Sequence, residues 1–286
     1  MTQSIPFQQV DVFTKVPFKG NPVAVVLDGD HLSAEQMQEI ANWTNLSETT
    51  FVCSPSHPDA DYKLRIFTPN NELPFAGHPT LGSAHALLKN GLQPKNKNKI
   101  IQECELGLVE IFTEKDKLFF ELPKPKITEI DEHQLEQIAD ALQISIENVL
   151  ARQTIDVGAK WMTLQLTSAE LVSTIEPNQE KLSSLIPAGC TGVTIFGAYP
   201  DHAETEFEVR GFAPNEGVPE DPVCGSGNGC VATMVKSFNL LSETSYVASQ
   251  GHCVGRDGRI EVRFPSEEST LIGGHAVTCI EGNLTI

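Results

Sequence analysis

The amino-acid sequence predicts an α+β protein made of two pseudo-symmetric halves, each a curled, mainly antiparallel, barrel-like sheet around a central helix. Three observations lead to this fold class. Short strand-like stretches recur along the chain with few helices between them. A segment of the first half returns in the second half and runs into a nearly uncharged helix each time. The 286 residues correspond to about two domains at ~150 residues each, so a duplicated unit accounts for the whole length.

The duplication is visible in one pair of matching segments. Residues 65–70, Arg-Ile-Phe-Thr-Pro-Asn, recur as residues 210–215, Arg-Gly-Phe-Ala-Pro-Asn, at an offset of 210 − 65 = 145. With three extra residues in the second copy, Ala76-Gly77-His78 falls opposite Cys224-Gly225-Ser226. Each copy therefore predicts a strand, a loop and a helix, and the two copies should be related by an approximate two-fold axis. The near absence of charge predicts that both helices are buried all round.

The first half begins with two strands and a helix. Strands are predicted at Phe7–Phe13 and Gly20–Leu27, and the capping box Ser33-Ala34-Glu35-Gln36 marks the start of a helix that ends near Asn45. The chain then returns to a strand at residues 51–53, so residues 46–50 form a helix-to-strand junction that can present a side chain. Further strands are predicted at Ile100–Glu105, Leu108–Thr113 and Leu118–Leu122.

A linker separates the halves at residues 122–126, Leu-Pro-Lys-Pro-Lys. Two prolines one residue apart cannot continue a strand ladder, which places the boundary after residue 122. The second half contains an amphipathic helix at Leu135–Leu142. Its strands are predicted at Trp161–Leu166, Gly192–Tyr199, Glu206–Phe212 and Ile260–Phe264.

Composition excludes several classes of function. Asp and Glu number 38 against 20 Lys and Arg, a net charge of −18. An acidic surface repels phosphate backbones and anionic headgroups, so we expect neither nucleic acid nor a membrane as partner. The N-terminal residues 1–6 lack the basic start of a secretory signal. Seven Cys without a C-x-x-C pair predict a reduced, cytoplasmic protein without a metal site.

The two repeat helices begin at Gly77-His78 and Gly225-Ser226. The first N–H groups of a helix have no partner inside the helix, and the positive end of its dipole lies there. Two such helix starts facing each other across a cleft would bind a small carboxylate. Further along the helices, Gly82 and Gly229 are explained equally well by close packing alone.

The second helix start allows two other interpretations. Residues 225–229 resemble part of a dinucleotide-binding fingerprint, but Cys230 occupies the third glycine position, which disfavours nucleotide binding. Cys224 lies beside the helix start, where its pKa would be lowered toward a thiolate, or it is a small buried hydrophobe. A racemase with two thiols needs a second Cys at the equivalent position, where Ala76 stands, so that mechanism is excluded there.

Four motifs together resemble the phenazine-biosynthesis PhzF-like family, which is related to diaminopimelate epimerase. In chain order they are Gly20–Val26 (GNPVAVV), Asn45–Thr49 (NLSET), Phe75–Thr80 (FAGHPT) and Glu220–Ser226 (EDPVCGS). The resemblance covers nearly the whole chain. It implies a diaminopimelate epimerase-like fold with the active site between the halves, a homodimer, and neither metal nor organic cofactor. It also implies that the last strand, residues 277–286, joins the first half (1–122), leaving 123–276 as the second.

The resemblance also implies catalytic roles. Glu48 matches the general acid/base that removes a proton from one carbon and returns it elsewhere, and His78 and Asp221 match two further catalytic positions. Independently, a His near a helix start is favoured in its neutral form and can donate one hydrogen bond. We predict that the substrate-binding residues are Gly77, Cys224, Gly225 and Ser226.

The sequence therefore predicts a cofactor-independent isomerase that moves a proton within a small, carboxylate-bearing, anionic substrate. Two alternatives stay open. Because the family often has Thr at the position of Cys224, that thiol could be a second acid/base in an amino- or imino-acid epimerase or racemase. The other alternative is a non-catalytic homologue that binds small anions. Loss of activity on thiol alkylation would favour the epimerase or racemase. Tight ligand binding without exchange of protons with the solvent would favour the non-catalytic homologue.

Overall fold

The computed structural model describes residues 4–286, whose contacts form two units. Unit one comprises the residues up to Glu121 together with Gly273–Ile286, and unit two comprises Leu122–Ile272. The prediction made for the N-terminal residues 1–6 falls partly outside the described residues, since residues 1–3 are not among them. No helix within residues 4–286 is long and apolar enough to cross a membrane.

The helices and strands follow one another with short connections. The first part of the chain contains β1 (Ser4–Val12), β2 (Asn21–Val26), α1 (Ala34–Thr44), β3 (Thr49–Cys53), β4 (Tyr62–Phe67), β5 (Glu72–Leu73), α2 (Gly77–Lys89), β6 (Lys99–Cys104), β7 (Gly107–Glu114) and β8 (Lys117–Glu121). The remainder contains β9 (Lys126–Thr128), α3 (Glu132–Leu142), β10 (Val149–Asp156), β11 (Lys160–Leu166), α4 (Ala169–Thr174), α5 (Gln179–Leu185), β12 (Gly192–Ala198), β13 (Phe207–Ala213), β14 (Val218–Asp221), α6 (Gly225–Ser237), β15 (Ser245–Gln250), β16 (Gly258–Arg263) and β17 (Leu271–Thr285).

Unit one is a closed barrel around α2. Among the described residues, eight strands pair in the circular order β1–β2–β3–β4–β6–β7–β8–β17 and back to β1. The β2–β3 and β4–β6 pairs are parallel, whereas β1–β2, β3–β4, β6–β7, β7–β8 and β1–β17 are antiparallel. Gly82 explains how a helix fits inside, because a Cβ there would lie 2.4 Å from Val23 Cγ1 and 3.0 Å from Val12 Cγ2. The packing interpretation of Gly82 therefore holds.

Unit two contains a second curled sheet, which packs around α6. The strands pair in the order β9–β10–β11–β12–β13–β15–β16, with parallel pairs at β11–β12 and β13–β15. A Cβ on Gly229 would lie 2.9 Å from Leu122 Cδ2, so close packing accounts for this glycine too. On the outer face of the sheet, α3, α4 and α5 bury a second apolar cluster that includes Ile138, Leu164 and Ile195.

The internal repeat is confirmed in three dimensions. In each copy a strand pairs antiparallel with a short second strand before a helix of 13 residues begins, β4–β5–α2 and β13–β14–α6. An ion pair repeats as well. Arg65 holds both carboxylate oxygens of Glu72 at 2.7 Å, and Arg210 holds those of Glu220 at 2.9 and 2.8 Å. The acidic partners also correspond, since 72 + 145 + 3 = 220.

The predicted start of α1 is confirmed in detail. Ser33 Oγ accepts a hydrogen bond from Gln36 N, and Gln36 Oε1 accepts one from Ser33 N, so both halves of the capping box are present. The helix ends at Asn45, which adopts the left-handed conformation with φ 55°. The sequence pattern missed β10, β15 and the short helices α4 and α5. Helices of 6 and 7 residues are too short to display a helical period, although Ser168 and Asn178 cap them.

Candidate active site

Glu48 lies at the junction between α1 and β3, in unit one. Its backbone carbonyl accepts a hydrogen bond from Ala24 N of β2 at 3.4 Å, which ties the junction to the barrel wall. The hydroxyls of Thr44 and Thr49 lie 2.6 Å apart and join the two ends of the connection. Together with the left-handed turn at Asn45, these contacts fix the direction in which Glu48 leaves the chain.

His78 is the partner of Glu48 in unit one. Its Nε2 lies 3.3 Å from Glu48 Oε2, and the two side chains are only 7% and 15% exposed. Burial lowers the pKa of His78 to about 3, against the opposing effect of a hydrogen bond to the backbone carbonyl of Pro22. The imidazole is therefore neutral near neutral pH, as expected, but burial is the cause rather than the helix dipole. A neutral imidazole offers one donor and one acceptor, so this contact is a polar contact and not an ion pair.

The start of α2 presents backbone groups beside this pair. Ala76 is the N-cap residue and contributes no side-chain hydrogen bond to the helix start. Gly77 packs closely against Phe120, and a Cβ there would lie 2.6 Å from Cζ of Phe120, so any side chain would have to push the ring aside. The Phe120 ring is itself held by an edge contact with Phe75, with centroids 5.6 Å apart. The N-cap side chain therefore takes up none of the first N–H groups of α2.

Asp221 ends β14 in unit two, just before the start of α6. Its Oδ1 accepts a hydrogen bond from Val223 N at 3.0 Å, which forms the tight turn through Pro222. The residue keeps some exposed surface, yet burial of the carboxyl group raises its pKa to about 6. Hydrogen bonds from Val223 and the Cys224 side chain oppose that rise and are weaker. Asp221 is consequently a carboxyl group that titrates close to neutral pH.

Cys224 is the N-cap residue of α6, and it is buried. Its Sγ accepts a hydrogen bond from Gly227 N at 3.2 Å and lies 3.5 Å from Ser226 Oγ. These contacts are those expected at a helix start, and they favour a thiolate. Burial has the larger effect, and with the negative charge of Asp221 it raises the pKa of Cys224 well above its usual range. Of the two interpretations that the sequence left open, the structure favours the small buried residue, because desolvation outweighs the helix terminus.

Two residues that sequence reasoning missed hold this loop in place. Gln250 is 1% exposed, and its amide donates to the Asp221 carbonyl at 2.9 Å and accepts from Cys224 N at 3.0 Å and Asn228 Nδ2 at 2.8 Å. Trp161 Nε1 donates to Ser226 Oγ at 3.0 Å. No local pattern marks either residue, because their partners lie far away in the sequence.

The predicted site residues thus fall into two groups. Unit one brings together Glu48, His78 and Gly77 at the start of α2. Unit two brings together the residues before and in the first turn of α6, which are Asp221, Cys224, Gly225 and Ser226. Within residues 4–286, no group of three or more His, Cys, Asp or Glu side chains is arranged to hold a metal ion.

Comparison with known proteins adds a family and several relatives. The family described as "Phenazine biosynthesis-like protein" matches residues 10–282. The chain is 42% identical to "Antisense-enhancing sequence 1" of Schizosaccharomyces pombe over 96% of this chain and 97% of that protein. It is 34% identical to trans-2,3-dihydro-3-hydroxyanthranilate isomerase of Pseudomonas fluorescens, over 97% of this chain and 98% of that protein. The crystal structure of a PhzF-family phenazine biosynthesis protein of Bacillus anthracis has the same fold, with a TM-score of 0.86, 24% identity, and coverage of 99% of this chain and 100% of that one.

Proposed function

The chain belongs to the phenazine biosynthesis-like protein family and is an isomerase, and from this premise we propose that it moves a proton from one carbon to another within a small carboxylate-bearing substrate, without a cofactor. Glu48 acts as the general acid/base. It takes a proton from an acidic C–H bond and becomes a carboxylic acid, then gives the proton to a second carbon as the double bond shifts. One C–H bond breaks and another forms, so the reaction needs no electron acceptor.

The observation that carries this proposal is the contact between Glu48 and the neutral His78. A carboxylate removes a proton from carbon only when few water molecules compete for it, and the Glu48 side chain is 15% exposed. Because the neutral imidazole donates its one N–H to the Pro22 carbonyl, Nε2 faces Glu48 as an acceptor, and it can accept a hydrogen bond from the Glu48 carboxyl group when that group is protonated. His78 can therefore orient Glu48 while Glu48 carries the substrate proton.

The start of α2 supplies the second requirement, a positive potential for substrate charge. We propose that the first-turn N–H groups at Gly77 and His78 bind the substrate carboxylate and the negative charge that develops as the proton leaves. The N-cap Ala76 gives the α2 start no side-chain hydrogen bond, which supports this assignment.

Asp221 is proposed to orient the substrate. With a pKa of about 6, its carboxyl group can accept a hydrogen bond from a substrate hydroxyl or amine when ionised and donate one when protonated. Cys224 fits an epimerase less well. A thiol with a raised pKa can donate a proton, but an epimerase also runs in the reverse direction, which requires the thiolate as base.

The test is incubation with a panel of small unsaturated and hydroxylated carboxylates in deuterated water, with conversion and deuterium uptake followed by NMR. Glu48→Gln keeps the size of the side chain but cannot carry the proton, so we expect conversion to fall by ~10²–10⁴ with substrate affinity retained. Cys224→Ser is the matched control and should lose less than about tenfold. Full turnover in Glu48→Gln with none in Cys224→Ser would establish the epimerase mechanism instead. Saturable binding with neither conversion nor exchange in the wild type would establish a binding protein.

A cytoplasmic homodimer remains a prediction. The family resemblance implies two chains per assembly, and sedimentation equilibrium of the purified protein should give twice the mass of the chain. A mass equal to one chain at micromolar concentration would contradict it.

A further inference from the structure

One edge of β2 holds both members of the Glu48–His78 pair. Ala24 N donates to the Glu48 carbonyl at 3.4 Å, and the Pro22 carbonyl accepts a hydrogen bond from the His78 imidazole. The N–H and C=O groups of a strand residue face one edge, and those of the residue two positions further on face the same edge. Because β3 begins opposite Ala24, β2 extends past its neighbour and leaves the Pro22 carbonyl to the imidazole. The position of His78 relative to Glu48 therefore depends on where the first residues of β2 lie.

The Pro22 carbonyl also selects one tautomer of His78. Its Nε2 faces Glu48 Oε2 at 3.3 Å, so the nitrogen that donates to Pro22 is Nδ1. In a neutral imidazole, a proton on one nitrogen leaves the other as an acceptor. Nε2 can then accept a hydrogen bond from Glu48 once Glu48 has taken the substrate proton. In the opposite tautomer Nε2–H would donate to the ionised Glu48 carboxylate, which would stabilise that form and weaken it as a base.

Asp11 of β1 fixes the chain immediately before Pro22. Its Oδ2 accepts a hydrogen bond from Gly20 N at 3.0 Å, and both residues are buried, Asp11 with 2% exposure. In the β1–β2 register Asp11 lies opposite Pro22. Gly20 also packs so closely against β1 that a Cβ there would lie 2.1 Å from the carbonyl oxygen of Val12. The Asp11 carboxyl group thus holds the chain two residues ahead of the carbonyl that binds His78.

This bond stands where an exposed loop re-enters the barrel wall. Residues 15–19 are all exposed, whereas Gly20 and Asn21 are buried. Surface loops are more mobile than the strands that they connect, so the first residues of β2 need an anchor. Without one, the Pro22 carbonyl would not stay within hydrogen-bond distance of an imidazole. The buried bond between Asp11 and Gly20 is such an anchor.

From these contacts we propose that Asp11 is a positioning residue of the candidate active site. By anchoring Gly20, it keeps the Pro22 carbonyl on His78 Nδ1. Nε2 then remains an acceptor for the proton that Glu48 carries. The consequence for catalysis rests on the proposed function, whereas the tautomer of His78 rests on contacts within unit one and can be measured without a substrate.

The test is NMR of the full chain labelled with ¹⁵N-histidine, because long-range proton–nitrogen correlations distinguish an Nδ1–H imidazole from an Nε2–H imidazole. The signals of His78, one of eight histidines, are assigned by their loss in His78→Gln. We expect the Nδ1–H tautomer in the wild type at neutral pH. Asp11→Asn keeps an oxygen acceptor for Gly20 N and should keep this tautomer. Asp11→Ala removes the acceptor, so its His78 should lose the pure Nδ1–H pattern and show Nε2–H.

Gln8→Ala is the matched control. Gln8 lies on the same strand as Asp11, is likewise 2% exposed and accepts a hydrogen bond, but its partner is Thr278 of β17 rather than the start of β2. This variant should leave the tautomer of His78 unchanged, even where it lowers the free energy of unfolding as much as Asp11→Ala does.

Kinetics with the carboxylate panel give a second measurement. In Asp11→Ala, kcat should fall by ~10–10², because a small displacement at an acid/base group is costly. KM should change less than about threefold, because the backbone N–H groups proposed to bind the substrate carboxylate stay in place. Asp11→Asn should restore kcat to within about threefold of the wild type.

The proposal is wrong if wild-type His78 carries its proton on Nε2, if Asp11→Ala keeps the Nδ1–H tautomer, or if Gln8→Ala loses it as well. If Asp11→Ala does not fold, the wild type and Asp11→Asn decide, because Nε2–H in either would overturn the proposal and Nδ1–H in both supports it. A wild type that converts no carboxylate, but has the expected tautomers in all variants, would overturn the proposed function and support the positioning role of Asp11.

Discussion

Neutralising Glu220 should destabilise the protein far more than neutralising Glu72, although both carboxylates make the same contact in the two copies of the repeat. Each is held by an arginine through Nε and Nη2, with all four N···O distances between 2.7 and 2.9 Å. Each arginine also lies over the phenylalanine two residues further on, at 5.1 and 5.0 Å from the ring centroid. Geometry is therefore matched, and burial is the variable.

The expected magnitude follows from that difference in burial. The Arg210 and Glu220 side chains are 5% and 10% exposed, against 26% and 33% for Arg65 and Glu72. Removing one partner of a buried ion pair costs ~3–5 kcal/mol, because the other charge stays buried without compensation. An exposed pair contributes ~0–1 kcal/mol. Arg210 also donates to two backbone carbonyls, so it cannot swing out to water without breaking those bonds too.

The assay is chemical denaturation of Glu220→Gln and Glu72→Gln at neutral pH, followed by circular dichroism. We expect the free energy of unfolding to fall by ~3–5 kcal/mol in Glu220→Gln and by at most ~1 kcal/mol in Glu72→Gln. The melting temperature should fall by roughly 6–20 °C in the former, at ~2–4 °C per kcal/mol for proteins of this size class. Equal losses in the two variants, or a loss below about 1 kcal/mol in Glu220→Gln, would refute the argument that burial decides the contribution of this pair.

Three further outcomes can be measured on the same protein. In the folded protein Asp221 keeps its proton up to about pH 6, whereas in the unfolded chain the carboxyl group releases it near pH ~3.9. The contribution of Asp221 to the free energy of unfolding therefore falls as the pH rises from ~3.9 to about 6. Denaturation curves of Asp221→Asn, measured over this pH range, should lack that pH-dependent loss of stability. Gln250→Leu leaves several buried polar groups without a hydrogen bond, at a cost of ~1–3 kcal/mol each, so this variant should be less stable and should have a higher KM. An unchanged KM would show that Gln250 does not position the candidate site. Gly77→Ala should cost ~1–3 kcal/mol by forcing the Phe120 ring aside, while Gly282→Ala, which meets nothing within 4 Å, should be neutral in the same thermal unfolding assay.

Features that depend on neighbours in the sequence were predictable, and features that depend on the assembled fold were not. The capping box at Ser33 and the repeat helices at Gly77 and Gly225 follow from local spacing, and the structure contains all of them. The sequence could not decide between a thiolate and a buried thiol at Cys224, because a helix start is local whereas burial is created by the surrounding sheet. Gln250 was invisible for the same reason, since it reaches its partners from 22 to 29 residues away.

The repeat itself bears on whether one base or two act in the reaction. Phe67 and Phe212 are equivalent positions, since 212 − 67 = 145. On the neighbouring strand, Phe67 pairs with Thr49 and Phe212 pairs with Val193. The residues that immediately precede Thr49 and Val193 in the sequence therefore occupy equivalent positions in the two units.

That place is held by Glu48 in unit one and by Gly192 in unit two. A Cβ on Gly192 would lie 2.0 Å from the carbonyl oxygen of Phe212, so no side chain fits there, let alone a carboxylate. A carboxyl group is thus present at this place in one copy and sterically excluded from the other. Cys224, the second acid/base considered for an epimerase, is a thiol whose raised pKa favours the protonated form. A single carboxyl group that both takes and returns the proton is the mechanism that this asymmetry supports, and it corresponds to isomerisation rather than to epimerisation by two opposed bases.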